Sequence, residues 1–307
     1  MTLVALVPFV SSVLLAGFGP RAGRRLPPAS AAWLLTIACL TTALAMGFVL
    51  AVAGFVLLAR LPAFVAVGHW SAGVVRGGDP LPASAGLLPA AAMVFLLAAA
   101  LWQAVGIGRD LAGAERACRR LGPAPTGLIV IDDEHPDAYT LPGLTGRIVV
   151  STAMLRALPA DERRVLLAHE DSHLRHRHHL FTQLADLAAT ANPLLRGPAR
   201  AVRLAAERWA DEDAATGTGD RTVAARALAR AGLARAAAAR GHGVLAAVDT
   251  EVGHRTRALL QPAPPPRRIL AAGVTALIVV TVLAAIDTEH RTERRFEHAR
   301  TEYARQR

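Results

Sequence analysis

Uncharged apolar stretches alternate along this chain with stretches dense in arginine. Four apolar runs stand out: Leu3–Phe18, Ala31–Ala59, Leu87–Ile107 and Ile269–Ile286. The second carries no charge and exceeds the roughly 20 residues a helix needs to cross a bilayer core. The third has Gln103 as its one strongly polar residue, and the fourth reads ILAAGVTALIVVTVLAAI. The first is short. Each run predicts a membrane-spanning helix, with a buried core helix as the alternative.

Between the third and fourth runs the pattern shortens. Arg109–Arg120 reads as a helical continuation of the third run, and Leu121–Gly127 (LGPAPTG) as a breaker. Leu128–Ile131 is a short β-type run that ends at Asp132, Asp133 and a turn through Pro136. Ala138–Leu141, Pro142-Gly143 and Arg147–Ser151 read as a strand pair with its turn. Asp161 is the expected N-cap of a helix running to about Leu180, with Glu162 in its first turn, where the helix dipole favours an acid. Leu180–Leu195 is apolar but short, interrupted by Asp186 and closed by Asn192-Pro193, so it reads as buried or interfacial rather than spanning. Helices are expected at about Ala199–Thr216 and Arg221–Arg240. Pro262–Pro266 (PAPPP) reads as a stiff linker.

Composition sharpens this picture. Of 307 residues 53% are hydrophobic, and the mean hydropathy of +0.34 excludes intrinsic disorder. Two cysteines, Cys39 and Cys118, exclude a disulfide scaffold or a Cys-based zinc module. All the cations are arginine, and the net charge is +10. Such a charge fits either nucleic-acid binding or a membrane protein with basic inner loops; the positions of the arginines favour the second. No positive charge precedes the first run, which argues against a signal peptide. Arg21, Arg24 and Arg25 follow it, Arg109, Arg116, Arg119 and Arg120 follow the third run, and Arg267 and Arg268 precede the fourth. The Arg60–Gly86 loop carries only Arg60, Arg76 and Asp79 as formal charges, which suits the outer face.

The expected organisation is a mainly α, polytopic membrane protein with four transmembrane helices. Residues 1–108 would hold three of them (3–18, 31–59 and 87–107). Residues 109–265 would form a cytoplasmic α+β domain, 266–286 the fourth span and 287–307 a short extracytoplasmic tail. Both termini then lie outside a cell membrane, and direct nucleic-acid binding is not expected.

The most informative residues are His169-Glu170-Asp171-Ser172-His173, an H-E-x-x-H motif within an expected helix. Residues four apart share a helical face, so both imidazoles can reach one Zn2+ ion. Glu170 is rotated off that stripe and can act as general base toward a water acidified by the metal. A catalytic zinc needs a third protein ligand, and Glu207 on a second helix is the candidate. Asp211, one turn on, can hold the other nitrogen of a ligating histidine. A helix bearing two histidines followed by a helix bearing E-x-x-x-D resembles the gluzincin arrangement, so the 109–265 segment is expected to be a zincin-like metallopeptidase domain.

Other residues compete for roles. His176 lies on the same stripe but is displaced along the axis by a turn, so His173–His179 (HLRHRHH) reads as a basic, solvated or membrane-facing helix end. Asp171 is either solvated or paired with Arg175. His242, His254, Arg255 and Arg257 are candidates to stabilise an oxyanion. Arg221, Arg226, Arg230, Arg235 and Arg240 spread round their helix and read as a solvated or headgroup-facing surface. Trp209 is expected in the core beside the metal helix, and Trp70 at the membrane interface.

With these motifs in place the chain resembles the BlaR/MecR-type integral membrane zinc metallopeptidases. The resemblance rests on AYTLPG (138–143), RIVVS (147–151), LPADERRVLLAHEDSH (158–173), Asn192-Pro193-Leu194 and ERWAD (207–211). It implies a signal-transducing protease that inactivates a cytoplasmic winged-helix repressor, with His169, His173 and Glu207 as zinc ligands, Glu170 as base and Asp211 behind the ligands. Only Asp287–Arg307 follows the fourth run, so the expectation is a short form lacking the penicillin-binding sensor domain of the β-lactam-sensing members. Two other readings stand beside it: an HtpX-like membrane quality-control protease, and a catalytically inactive zinc-binding membrane receptor.

Overall fold

A computed structural model describes residues 3–77, 82–122, 124–143, 146–238 and 242–306, with backbone only at 83 and 242–250. Asp79 and the His242 side chain, both weighed above, lie outside the described residues. A single 3-10 turn leads into α1 (Val7–Arg25), followed by α2 (Pro28–Leu58) and the short α3 (Pro62–Gly68) and α4 (Ala72–Arg76). The third apolar run and its expected continuation form one helix, α5 (Leu87–Arg120). Among the described residues four helical segments are long and apolar enough to cross a membrane: Leu3–Arg25, Pro28–Leu58, Ser84–Arg120 and Arg268–Arg305. The last contains α12 (Arg268–Arg305), so the expected tail is a helical extension of the fourth run.

That extension has a partner. At about 1.5 Å per residue α2 exceeds the roughly 30 Å of a bilayer core and projects beyond it. At its C-terminal end Phe55, Trp70 and Phe296 meet with ring centroids 5.1–6.1 Å apart. Trp70 is buried and donates from Nε1 to Ala59 O at 2.8 Å. The Ser71 N–H donates to Ala299 O at 2.9 Å. The α2–α5 connection and the α12 extension therefore cap the same end of the bundle.

The segment between α5 and α12 opens with a three-stranded sheet in the order β1-β3-β2: β1 (Leu128–Ile131), β2 (Ala138–Leu141) and β3 (Arg147–Ser151). The β2–β3 pair is antiparallel, with Ala138 opposite Val150. β1 lies parallel to the other side of β3, with Leu128 opposite Ile148. The valines and isoleucine of β3 are buried, as suits the middle strand, and β2 is left as an edge.

Helices α6 (Thr152–Ala157), α7 (Ala160–Arg175), α8 (His178–Ala191), α9 (Arg196–Thr218), α10 (Arg221–Ala238) and α11 (His242–Leu259) follow. Asp161 is not the cap of α7. Pro159 holds that position, and Asp161 joins Glu162 in the first turn. Nor does α7 run to Leu180: it ends at Arg175, and Arg177 adopts a left-handed φ of +52° that turns the chain into α8.

α8 and α9 share one core with the apolar bundle. Leu15, Leu26, Leu35, Phe181, Ala185 and Val202 are all buried in it. Small residues permit the close approach: a Cβ at Gly23 would stand 2.9 Å from that of Ala201. At the α8–α9 bend, Asn192 Nδ2 donates to Ser12 Oγ at 2.8 Å. One face of the Leu180–Leu195 run, with Phe181, Ala185, Ala188, Ala189 and Leu195, is thus buried in the bundle, while Leu180, Leu184 and Leu194 stay exposed.

The arginines of α10 are not a free surface. Arg230 meets Glu162 at 2.8 Å, Arg226 meets Asp161 at 3.9 Å, Arg235 meets Asp137 at 3.2 Å, and Arg221 pairs with Glu212. The acids at the start of α7 and β2 explain this. They present carboxylates to a helix whose alanines pack inward, and the long arginine stems bridge the gap.

Candidate metal centre

α7 and α9 pack side by side and bring together the residues singled out from the sequence. His169 and His173, one turn apart on α7, point their Nε2 atoms at a common space, 3.1 Å apart. Glu207 on α9 completes the triangle: Oε2 lies 3.8 Å from His169 Nε2 and Oε1 lies 3.7 Å from His173 Nε2. Ligand atoms about 2.1 Å from a zinc ion in a tetrahedron stand roughly 3.4 Å from one another. The two imidazoles and the carboxylate therefore fit a divalent metal, with a fourth position to spare. Among the described residues one other group, Glu289, His290 and Glu293 on α12, comes equally close, but it is fully exposed.

The far side of each imidazole is held. His169 Nδ1 lies 3.1 Å from Asp211 Oδ1, as the E-x-x-x-D spacing led us to expect. His173 Nδ1 lies 3.0 Å from Nδ1 of His178, which is 2% exposed. With the shared proton assigned to His173 Nδ1, its Nε2 lone pair is left facing Glu207. The break at Arg177 makes this contact possible, because it swings the start of α8 back beside α7. His176 is turned elsewhere: its Nε2 is 2.9 Å from Asp213 Oδ2 and its ring stacks on Trp209 at 4.4 Å. His176 and His178 are thus interior groups, and the reading of HLRHRHH as a solvated end is corrected for both. Trp209 does sit beside the metal helix.

Arg255, on α11, is the largest addition. It is 8% exposed and makes paired bonds to Asp211, Nε to Oδ2 at 2.8 Å and Nη2 to Oδ1 at 2.7 Å, while Nη1 reaches Glu207 Oε2 at 2.8 Å. Its charge is spent on two carboxylates, so it is not the free oxyanion donor considered from the sequence. His254 and Arg257 are exposed and stay out of the site. Burial disfavours the charged form of Glu207 and of Asp211, yet Arg255 together with His169, and at Glu207 also His173, outweighs it and holds both pKa values below the ordinary carboxylate range. Burial pushes His173 down to about 4, assisted by the charge of His169. His173 is therefore neutral, the form that can ligate a metal. For His169, burial works against protonation but the bond and charge of Asp211 prevail, and its pKa is raised.

Glu170 is 6% exposed, and desolvation raises its pKa. With both histidines and Glu207 it lines a cavity of about 450 Å³. β2 contributes Ala138, Tyr139 and Thr140 to one wall, and α10 contributes Leu228, Ala231, Gly232 and Arg235 to another. Asp171 faces away, paired with Arg175 at 3.2 Å in an exposed i,i+4 bridge.

Sequence reasoning missed His178 and Asp213 and gave Arg255 the wrong partner. The run Asp211-Glu212-Asp213 did carry a usable signal. Successive residues turn by about 100°, so three adjacent acids face three neighbours: Asp211 meets His169, Glu212 meets Arg221, and Asp213 meets Ser172 and His176. Nothing local marks Arg255, which arrives from 44 residues beyond Asp211.

Comparison with known proteins agrees with this site. Part of the chain is 39% identical over 69 residues to a "Protease HtpX homolog" of Aeropyrum pernix, covering 22% of each protein. It is 32% identical over 151 residues to a "Protease HtpX homolog" of Acidiphilium cryptum, covering 44% of this chain and 50% of that one. The chain thus spans half or less of the curated relatives it matches. No solved structure matches it. Both relatives support the HtpX-like alternative at least as well as the BlaR/MecR-type resemblance, to which they lend no specific support. Residues 112–273, more than half of the sequence, match the family described as Peptidase family M48, and the chain belongs to that family.

Proposed function

We propose that this protein is a membrane-embedded zinc endopeptidase that hydrolyses a protein at the face of the bilayer marked by its arginine clusters. The convergence of His169, His173 and Glu207 carries this reading. These three would hold Zn2+, and Glu170 would be the general base. Asp211 and His178 would fix the imidazole tautomers, and Arg255 would keep Glu207 and Asp211 ionised and in place. When bound, zinc polarises a carbonyl and lowers the pKa of water to about 7. Glu170 accepts the proton of the attacking water and passes it to the leaving amine as the C–N bond breaks. Its burial suits it to that exchange, because a raised carboxylate pKa narrows the gap to the groups it trades protons with.

The arginine-rich loops would face the cytoplasm, with the capped end of the bundle and both termini outside. The HtpX-homologue matches favour broad degradation of damaged membrane proteins. The number of apolar helices supports a second reading, cleavage of a winged-helix repressor in a BlaR/MecR-like pathway. Three candidate spans precede the site and one follows, as that arrangement requires. To test these readings, membranes carrying wild type or Glu170→Gln would receive either a misfolded membrane protein or candidate repressors. Chelator-sensitive cleavage by wild type alone is expected. Cleavage confined to one repressor would select the second substrate reading, and equal cleavage by both proteins would refute hydrolysis at this site.

A further inference from the structure

β2 borders the cavity as an edge strand, and the state of that edge decides what can pair with it. In an antiparallel ladder alternate residues direct their N–H and C=O groups at the partner strand. Asp137 O accepts from the Ser151 N–H at 2.9 Å, so Asp137 faces β3, and Ala138 and Thr140 face outward, toward the cavity side. Both outward groups of Ala138 are already taken. Its N–H donates to Asp137 Oδ1 at 2.9 Å, and its carbonyl accepts from Arg235 Nη2 at 2.5 Å. Arg235 Nε also donates to Asp137 Oδ1 at 3.2 Å. Arg235 belongs to α10, the opposite wall, so one side chain ties the two walls together across the mouth of the site.

We propose that Arg235 and Asp137 form a latch that closes the substrate-binding edge of β2 in the resting protein. The proposal rests on the peptidase reading above. Extended peptides bind by adding a strand to an exposed sheet edge, where main-chain hydrogen bonds supply the affinity. A peptide laid along β2 needs Ala138 O as acceptor for one of its N–H groups, and the Arg235 guanidinium occupies it. Pairing at Ala138 therefore requires Arg235 to withdraw, whereas Thr140, the next outward residue, lies beyond the latch. The latch is suited to release: Arg235 and Asp137 are 42% and 55% exposed, so water can solvate both once they part. Such a contact raises the apparent KM of extended substrates by occupying a main-chain acceptor they need.

The test uses the full-length, zinc-loaded protein in liposomes, an extended fluorogenic peptide, and the variants Arg235→Ala and Asp137→Asn. The latch predicts that Arg235→Ala lowers KM about tenfold, and that Asp137→Asn shifts KM the same way by less. In a Glu170→Gln background, fluorescence anisotropy should show the labelled peptide binding about tenfold tighter when Arg235 is removed. Unchanged or weaker binding on loss of Arg235 overturns the latch, weaker binding making Arg235 a substrate anchor instead. Tighter binding with no cleavage by the wild type keeps the latch and refutes the hydrolytic reading.

Discussion

At the scale of single residues, the candidate metal centre is a set of charges and protons held in place from behind. The H-E-x-x-H spacing and the E-x-x-x-D of α9 were legible because each is a local helical pattern. Arg255 and His178 were not, since one comes from a distant helix and the other depends on a chain break. His178→Phe keeps the bulk of the buried ring but removes the nitrogen beside His173 Nδ1. It is expected to weaken zinc affinity by about 10- to 100-fold, measured by competition with a chromophoric chelator. Arg255→Ala leaves Asp211, a buried carboxylate, without its bidentate cation. It is expected to cost about 3–5 kcal/mol in denaturant unfolding of the metal-free protein, and less once zinc supplies positive charge at Glu207. An equal loss with and without zinc would argue against a shared role for Arg255 and the metal.

At the scale of elements, the helices were largely legible and their ends were not. A charged, histidine-rich stretch looked like one continuing helix because no glycine or proline interrupts it. The chain breaks instead at Arg177, a residue with a Cβ in left-handed backbone. That conformation costs a non-glycine residue about 1–2 kcal/mol, part of which glycine would recover. Arg177→Gly is therefore expected to stabilise the protein by up to about 1 kcal/mol in urea unfolding, with metal binding intact. A destabilised variant would mean that the Arg177 side chain holds the bend. Helix α10 teaches a related lesson. Its arginines, spread round the helix, looked like a solvated face, yet four of them answer acids that the fold brings from α7, β2 and α9.

At the scale of the molecule, the sequence separated apolar runs from a polar insert, which suggested spans and a discrete domain. The packing joins them. α8 and α9, which carry His178 and Glu207, are buried against α1 and α2, and Asn192 bonds to Ser12 inside the apolar bundle. Sequence periodicity reveals which face of a helix is apolar but not which helix will cover it, so this union could not be read in advance. The proposed centre is built partly on the membrane bundle, and the full-length protein is the right object for measurement. The most direct test determines bound zinc and protein-substrate cleavage together in purified wild type, His169→Ala, Glu207→Ala and Glu170→Gln. The account predicts one zinc per chain in wild type and in Glu170→Gln, cleavage by wild type alone, and zinc lost from the two ligand variants. Zinc retained at full stoichiometry without His169 and Glu207, or cleavage undiminished in Glu170→Gln, would contradict it.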